Sequence, residues 1–304
     1  MIQARNPCGE YTEVERYLMD HPVMHDRNAD QVAFWNGPGG ELWTKRQDTQ
    51  DAVLAPISAI LFDRAAVVAG ERVADIGCGC GATSIELASR VGPSGQVLGI
   101  DVSAPMLARA RDRAPRGAPL AFVQADATLH PFGPAGTDLL FSRFGVMFFA
   151  EPALSFANMR KALRPGGRMV FACWREPRKN PWLIAPLQAV YKHVPRLPEL
   201  GPEDPGPFAF AREDRVHRLL SQAGFADIAM EPHDLFLDLA VGRGLDAAVM
   251  AALESGPVSR ALDGHAPEVV SAAATSIRSA LAPFQKGESV PLGAAIWIVT
   301  ARNT

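Results

Sequence analysis

Three acidic residues and a run of glycines close successive apolar stretches of this chain, and their order is what a ligand-binding sheet edge requires. In VADIGCGCGATSIELA, Asp75 ends an apolar run and is followed at once by Gly77, Gly79 and Gly81, after which a helical pattern begins. Glycines let the backbone turn sharply and let a ligand lie against it where a side chain would collide. The helix start that follows offers unpaired N–H groups and a positive dipole end, suited to a carboxylate or phosphate. Asp101 ends the next apolar run, 20 positions after Gly81 (101 minus 81), where a carboxylate can accept hydrogen bonds from both hydroxyls of a ribose. Asp126, in VQADAT, follows the third run, where it can meet the exocyclic amine of an adenine. The same loop also satisfies G-x-G-x-x-G/A through Gly77, Gly79 and Ala82, so a nicotinamide nucleotide with Asp101 on its ribose is an open alternative. Asp75 ahead of the glycines and the third acid, Asp126, weigh against it.

These residues need a scaffold that brings strand ends to one edge. From Arg72 onward, short β-branched runs alternate with helical patterns, the signature of βαβ units. RVADIG, QVLGID, LAFVQAD, TDLLFSR and GRMVFACW are predicted as strands 1 to 5. The helices between them are ATSIELASRVG, APMLARARDRA and EPALSFANMRKAL, the last ended by Pro165 and two glycines. ADIAMEPHDLFLDL and AAIWIVTA add two strands near the end, after the helix RVHRLLSQAGF. The expected fold is α/β: a Rossmann-like, mostly parallel seven-stranded sheet with helices on both faces. Residues 1–48 are predicted as an irregular or short-helical cap, followed by a helix in DAVLAPISAILFDRAAVVAGE that stops at Gly70. Residues 49–304 form the main domain, with lid insertions at about 175–212 and 240–290.

Composition narrows the function classes. With 48% hydrophobic and 21% charged residues, the 304-residue chain can bury a large core. A net charge of −3 gives no general attraction for nucleic acid. The N-terminal stretch lacks a signal-like apolar run, and no segment approaches the roughly 20 apolar residues of a membrane span, so a cytoplasmic protein is expected. Cys8, Cys78, Cys80 and Cys173 lack paired zinc-site spacing and read as free thiols. No further cluster of Asp and Asn follows strand 5, so no metal is expected. The partner is a small molecule, and a homodimer is left open.

Taken together, DIGCGCG, GIDVSAPML, QADA, DLLFSRFGVMFF and LRPGGRMVFACW resemble the class I S-adenosylmethionine-dependent methyltransferases. More narrowly they resemble the ubiquinone/menaquinone C-methyltransferase-like branch, across about residues 70–176 and weakly over the final strands, which are similar to that family's antiparallel end. The resemblance implies S-adenosylmethionine as cofactor. Asp75 and the loop Gly77, Cys78, Gly79 and Gly81 would hold its methionine portion. Asp101 would hold the ribose with Val102 and Met106 nearby, and Asp126 with Ala127 the adenine. Ser142 and Arg143 fall where the family approaches the sulfonium and substrate. WNGPGGELW is similar to an N-terminal segment that closes over the cofactor in this branch, with Trp43 and Gln47 contributing.

Methyl transfer from a sulfonium is a direct displacement, so alignment and water exclusion are the main requirements. A base is needed only for a hydroxyl, a protonated amine or an acidic carbon. His130, His193, His217, His233, Tyr11, Tyr17 and Tyr191 are candidates, each as well explained by packing or surface placement, and no catalytic residue is assigned. The turn SRFG lacks the N/D-P-P-Y/F signature of enzymes that methylate amides and adenine amines. Trp35, Phe144, Met147, Phe148, Trp174 and Trp182, with Phe208 and Phe210 as further candidates, are expected to wall an apolar pocket, which implies a hydrophobic or aromatic acceptor. Two other classes stay open: a regulator that binds the cofactor and transfers nothing, and an aminopropyl transferase, which the arginine of SRFG disfavours. A chain lacking residues 1–48 is expected to bind the cofactor more weakly in calorimetry; unchanged affinity would remove the cap from the site.

Overall fold

Aliphatic runs bounded by glycine and acidic residues become strands once helices cover both of their faces. In the computed structural model, which describes residues 24–133, 135–201 and 203–304, this yields β1 (Arg72–Ile76), β2 (Gln96–Asp101), β3 (Leu120–Gln124), β4 (Thr137–Arg143), β5 (Leu163–Trp174), β6 (Ala226–Asp238) and β7 (Pro291–Arg302). Tyr11, Tyr17 and Cys8 lie outside the described residues. The strand order is β3-β2-β1-β4-β5-β7-β6, with β1 to β5 parallel and β7 antiparallel to both of its neighbours. The seven-stranded α/β expectation, its antiparallel end included, is therefore met. The order reverses between β1 and β4, and open sheets of this kind bind ligands outside the carboxyl ends at such a switch point.

The connecting helices are α4 (Ala82–Val91), α5 (Ala104–Arg113), α6 (Pro152–Arg160) and α8 (Glu213–Gln222). They are preceded by α1 (Ala29–Asn36), α2 (Pro38–Lys45) and α3 (Gln47–Ala65). In α3, Val53, Leu54, Ile57, Leu61, Phe62 and Ala65 are buried, one stripe at helical spacing against the sheet. This helix stops short of the expected Gly70. Ala66 adopts a left-handed conformation at φ 46°, and the Arg168 guanidinium donates to the Ala65 carbonyl while pairing with Glu71 at 2.6 Å. A long-range cap thus ends the helix where local pattern would extend it. Strand β5 likewise starts at Leu163, four positions before the expected Gly167 (167 minus 163), because Leu163 already pairs with Thr137.

Both insertions supply helices: α7 (Pro181–Val190) from the first, and α9 (Gly244–Leu253), α10 (Gly256–Leu262) and α11 (Pro267–Leu281) from the second. Helix α11 packs on α7 and α9. The cap is tied to the turn after β2: Ser103 Oγ donates to the Trp35 carbonyl at 2.5 Å, and Asn36 bridges the Val102 carbonyl and the Ala104 N–H at 2.9 Å each. No helix among the described residues is long and apolar enough to cross a membrane.

Candidate active site

The site begins where β1 gives way to its glycine loop. The N–H groups of Gly77 and Cys78 both donate to the Ile100 carbonyl of β2, at 2.8 and 3.1 Å. Gly77 has φ +66°, and a Cβ there would stand 2.5 Å from the Cα of Gly145, so the loops after β1 and β4 meet backbone to backbone. Asp101 then fixes the loop from the side. Its Oδ2 accepts the Gly79 N–H at 2.8 Å and its Oδ1 the Ser103 N–H at 2.9 Å. Burial pushes this carboxyl up, against the opposing pull of those backbone donors.

At the next strand end, Asp126 Oδ1 accepts the Thr128 N–H at 2.8 Å, while its Oδ2 accepts the His25 N–H at 3.1 Å and Asn28 Nδ2 at 2.6 Å. A carboxylate offers about four acceptor positions. Three are taken by described residues, which leave one on Oδ1. Asn28 Oδ1 also accepts the Ala150 N–H at 2.9 Å, so one buried amide clips the cap to the third acid and to the loop after β4. Sequence reasoning missed Asn28, because nothing local marks an asparagine whose partners lie about a hundred residues away.

Asp51 was missed as well. From α3 it pairs with Arg113 at 2.9 Å and Arg143 at 3.4 Å, and Arg113 donates to the Cys80 carbonyl of the glycine loop at 2.6 Å. Burial raises the Cys78 thiol well above its ordinary value and the Cys80 thiol to about 11, so both side chains are neutral wall material. Among the described residues no group of three or more His, Cys, Asp or Glu could hold a metal ion.

A cavity of about 570 Å³ lies over this edge, within the size range of small-molecule sites. Gly77, Cys78, Gly79, Asp101, Val102 and Met106 line it, as do Asp126, Ala127 and Arg143. Much of the rest of its lining is aromatic. Phe144 and Trp174 stack at 4.1 Å with planes 7° apart, and Trp182 lies 4.8 Å from Trp174. Trp35 packs edge-on against Trp43 at 6.2 Å and Phe148 at 5.3 Å, and Met147 completes the set. Phe144 has φ +68°, a left-handed conformation that costs energy for a side chain of this bulk and is held here by its stack on Trp174. Arg46 of the cap reaches Glu254 of the second insertion at 2.9 Å, which joins the cavity's two covers.

Several expected site residues stand behind the wall instead of on it. Asp75, expected at the methionine portion, is fully buried; its Oδ2 accepts from Thr83 Oγ1 at 2.7 Å and Ser84 Oγ at 2.6 Å, pinning β1 to the first turn of α4. Gly81 abuts Ala110 and Phe122, which makes it a packing glycine. Ser142 Oγ donates to the Ile76 carbonyl at 2.7 Å and accepts the Gly145 N–H at 3.1 Å, so the hydroxyl is spent on joining β1 to β4. Gln47 is committed to Asp51 and Arg109. Phe210 packs in the core against Phe156 and Phe171, and Phe208 is off the wall.

The site is thus a cavity at a switch point, lined by carboxylates from successive strand ends, bare glycine backbone and aromatic rings. Comparisons with known proteins place the chain in a family. A methyltransferase domain model matches residues 73–167. The chain is 30% identical to the ubiquinone/menaquinone biosynthesis C-methyltransferase of Cellvibrio japonicus over 55% of its own length and 71% of that protein. It is 31% identical to the malonyl-[acyl-carrier protein] O-methyltransferase of Xylella fastidiosa, over 43% of this chain and only 42% of that one. The phosphoethanolamine N-methyltransferase 2 of Haemonchus contortus shares the fold at TM-score 0.54 and 17% identity, across 92% of this chain and 60% of that one. The chain belongs to the class I S-adenosylmethionine-dependent methyltransferases, in the quinone C-methyltransferase-like branch.

The donor set fits the cofactor of that family, S-adenosylmethionine. Gly77 and Gly79 bring bare backbone to the cavity, and the carboxylates of Asp101 and Asp126 line it, the donor and acceptor types that a methionine portion, a diol and an amine would need.

Asp75 carries a pH consequence. Burial raises its carboxyl to about 6 despite the Ser84 and Thr83 hydroxyls, and its Oδ1 has no hydrogen-bond partner among the described residues. In the unfolded chain an aspartate ionises near 3.9, so between that pH and about 6 the native state holds a proton that the unfolded state has lost. Stability is therefore greatest below the unfolded value and falls as pH rises towards 6. Asp75→Asn, which keeps an acceptor for both hydroxyls, should gain about 2 kcal/mol relative to the native chain between pH 4.5 and pH 7.5 in urea unfolding. A pH-independent difference would show that Asp75 titrates normally.

Proposed function

We propose that the protein transfers a methyl group from S-adenosylmethionine to a small hydrophobic or aromatic acceptor by direct in-line displacement. The observation that carries this reading is one cavity whose lining combines carboxylates and bare backbone with stacked aromatic rings. The bound sulfonium supplies a methyl already activated for displacement, so the chain's task is alignment and exclusion of water. Asp101 holds the ribose while fixing the Gly79 backbone, and Asp126 with Ala127 receives the adenine end. Cys78, Val102 and Met106 fill the wall between them. Arg143 is anchored by Ser58 at 2.8 Å and by Asp51, and it limits the chamber at the tip of β4.

Phe144 and Trp174 offer a flat face to the acceptor, with Trp182, Trp35, Met147 and Phe148 around it. A flat apolar surface of this kind selects aromatic or extended hydrophobic molecules and excludes water from the reacting centre. None of the described histidines lines the cavity, nor does Tyr191, whose ring carries the Arg196 guanidinium at 5.4 Å. His193, His217 and His233 are engaged with Ser276, Ser221 and Glu231. An acceptor that needs no histidine or tyrosine base among the described residues fits this geometry best. The relatives named above, one for quinone biosynthesis and one for a carrier-bound malonyl group, support a small-molecule acceptor of either chemistry.

Asp101→Asn should raise the dissociation constant for S-adenosylhomocysteine at least about tenfold, the loss of a charge-assisted pair of hydrogen bonds, with the circular dichroism spectrum unchanged. Native protein should release radiolabelled methyl from S-adenosylmethionine onto members of an apolar aromatic acceptor panel. Unaltered affinity in the variant would remove Asp101 from the ribose site, and tight cofactor binding without transfer to any acceptor would leave a regulator in place of an enzyme.

A further inference from the structure

Four arginines bear on the cavity or its loop, and three of them are neutralised: Arg46 by Glu254, and Arg113 and Arg143 by Asp51. The fourth, Arg260 on α10, is not. It lines the cavity, its guanidinium lies 5.6 Å from the centre of the Phe34 ring, and among the described residues no carboxylate pairs with it. Asp263 and Asp30 line the same cavity without reaching it, and Tyr191 is the titratable neighbour on the α7 side. Arg260 is itself exposed, standing where the cavity opens to solvent, and its guanidinium remains charged at any physiological pH. The aromatic face of Phe34 attracts the cation without consuming its N–H donors, for which no side-chain acceptor is found among the described residues, so the guanidinium keeps the fork that matches an anion with two oxygens.

We infer that Arg260 is an acceptor subsite: the molecule methylated is apolar along the Phe144–Trp174 wall and carries an anionic group, a carboxylate in the simplest case, that forms a bidentate pair with this guanidinium. The inference rests on the methyltransferase reading and narrows its substrate class. It also gives the second insertion a role in selection, since α10 brings to the chamber the one cation that the protein itself does not balance among the described residues. A neutral acceptor of the same shape would cover part of this guanidinium without offering it the paired charged oxygens of a carboxylate, so the anion is the better partner.

The test uses the full chain saturated with S-adenosylhomocysteine, titrated with trans-cinnamate against trans-cinnamamide and 2-naphthoate against 2-naphthamide, followed by quenching of the cavity tryptophans. Each carboxylate should bind at least about tenfold more tightly than its amide, the size expected of a charge-assisted pair. Arg260→Gln should bring the two to within about twofold while leaving the affinity for S-adenosylhomocysteine unchanged, and Arg260→Lys should restore part of the preference. Carboxylates that bind no more tightly than amides, including the case in which neither binds, would overturn the subsite, as would a preference that survives Arg260→Gln. Failure of S-adenosylhomocysteine itself to bind the native chain would instead strike the methyltransferase reading, so the two failures are separable.

Discussion

At the switch point of the sheet, two backbones approach so closely that no side chain fits between them, and the rest of the site depends on that contact. Gly77 and Gly145 close the tips of β1 and β4 against each other, with Ser142 bonded to both sides of the junction. The loop that results is held at its outer end by Asp101 through the Gly79 N–H. The same carboxylate shapes the loop and lines the cavity. A half-buried carboxylate with two backbone donors is already oriented, and the ordering cost is met during folding.

Around this rigid edge, the covers are assembled from distant parts of the chain. The cap reaches Asp126 through Asn28 and the β2 turn through Asn36, while Arg46 ties the cap to the second insertion at Glu254. These are a few polar links over an apolar chamber, the kind of contact that can open locally without disturbing the sheet. The stacked pair at the centre of the aromatic lining belongs to the sheet, because Phe144 follows β4 and Trp174 ends β5, whereas Trp35 and Trp182 come from the helical covers. The chamber is thus built jointly by strand ends and covers.

Much of this is legible in the sequence, for identifiable reasons. The alternation of short apolar runs with helical periodicity is set by burial on both faces of a parallel sheet, so strand number and the position of the glycine loop follow directly. That Asp101 and Asp126 line the cavity is legible because strand ends place them there. Asp75 was misplaced for a related reason: strand position tells that a residue is near the edge, but not that two hydroxyls on the next helix will claim its side chain. Gln47 and Ser142 fail in the same way, each committed to partners far apart in sequence. The ends of α3 and β5 also moved under long-range control, by Arg168 and by the pairing of Leu163 with Thr137. Asn28, Asp51 and Arg260 carry no local signal at all; their meaning comes from what the fold brings opposite them.

The central claim is that this edge grips an adenosyl sulfonium. Isothermal titration of the native chain with S-adenosylhomocysteine, and separately with NADH, tests it most directly. The account predicts saturable, stoichiometric binding of S-adenosylhomocysteine and none of NADH. Binding of NADH with no affinity for S-adenosylhomocysteine would contradict it.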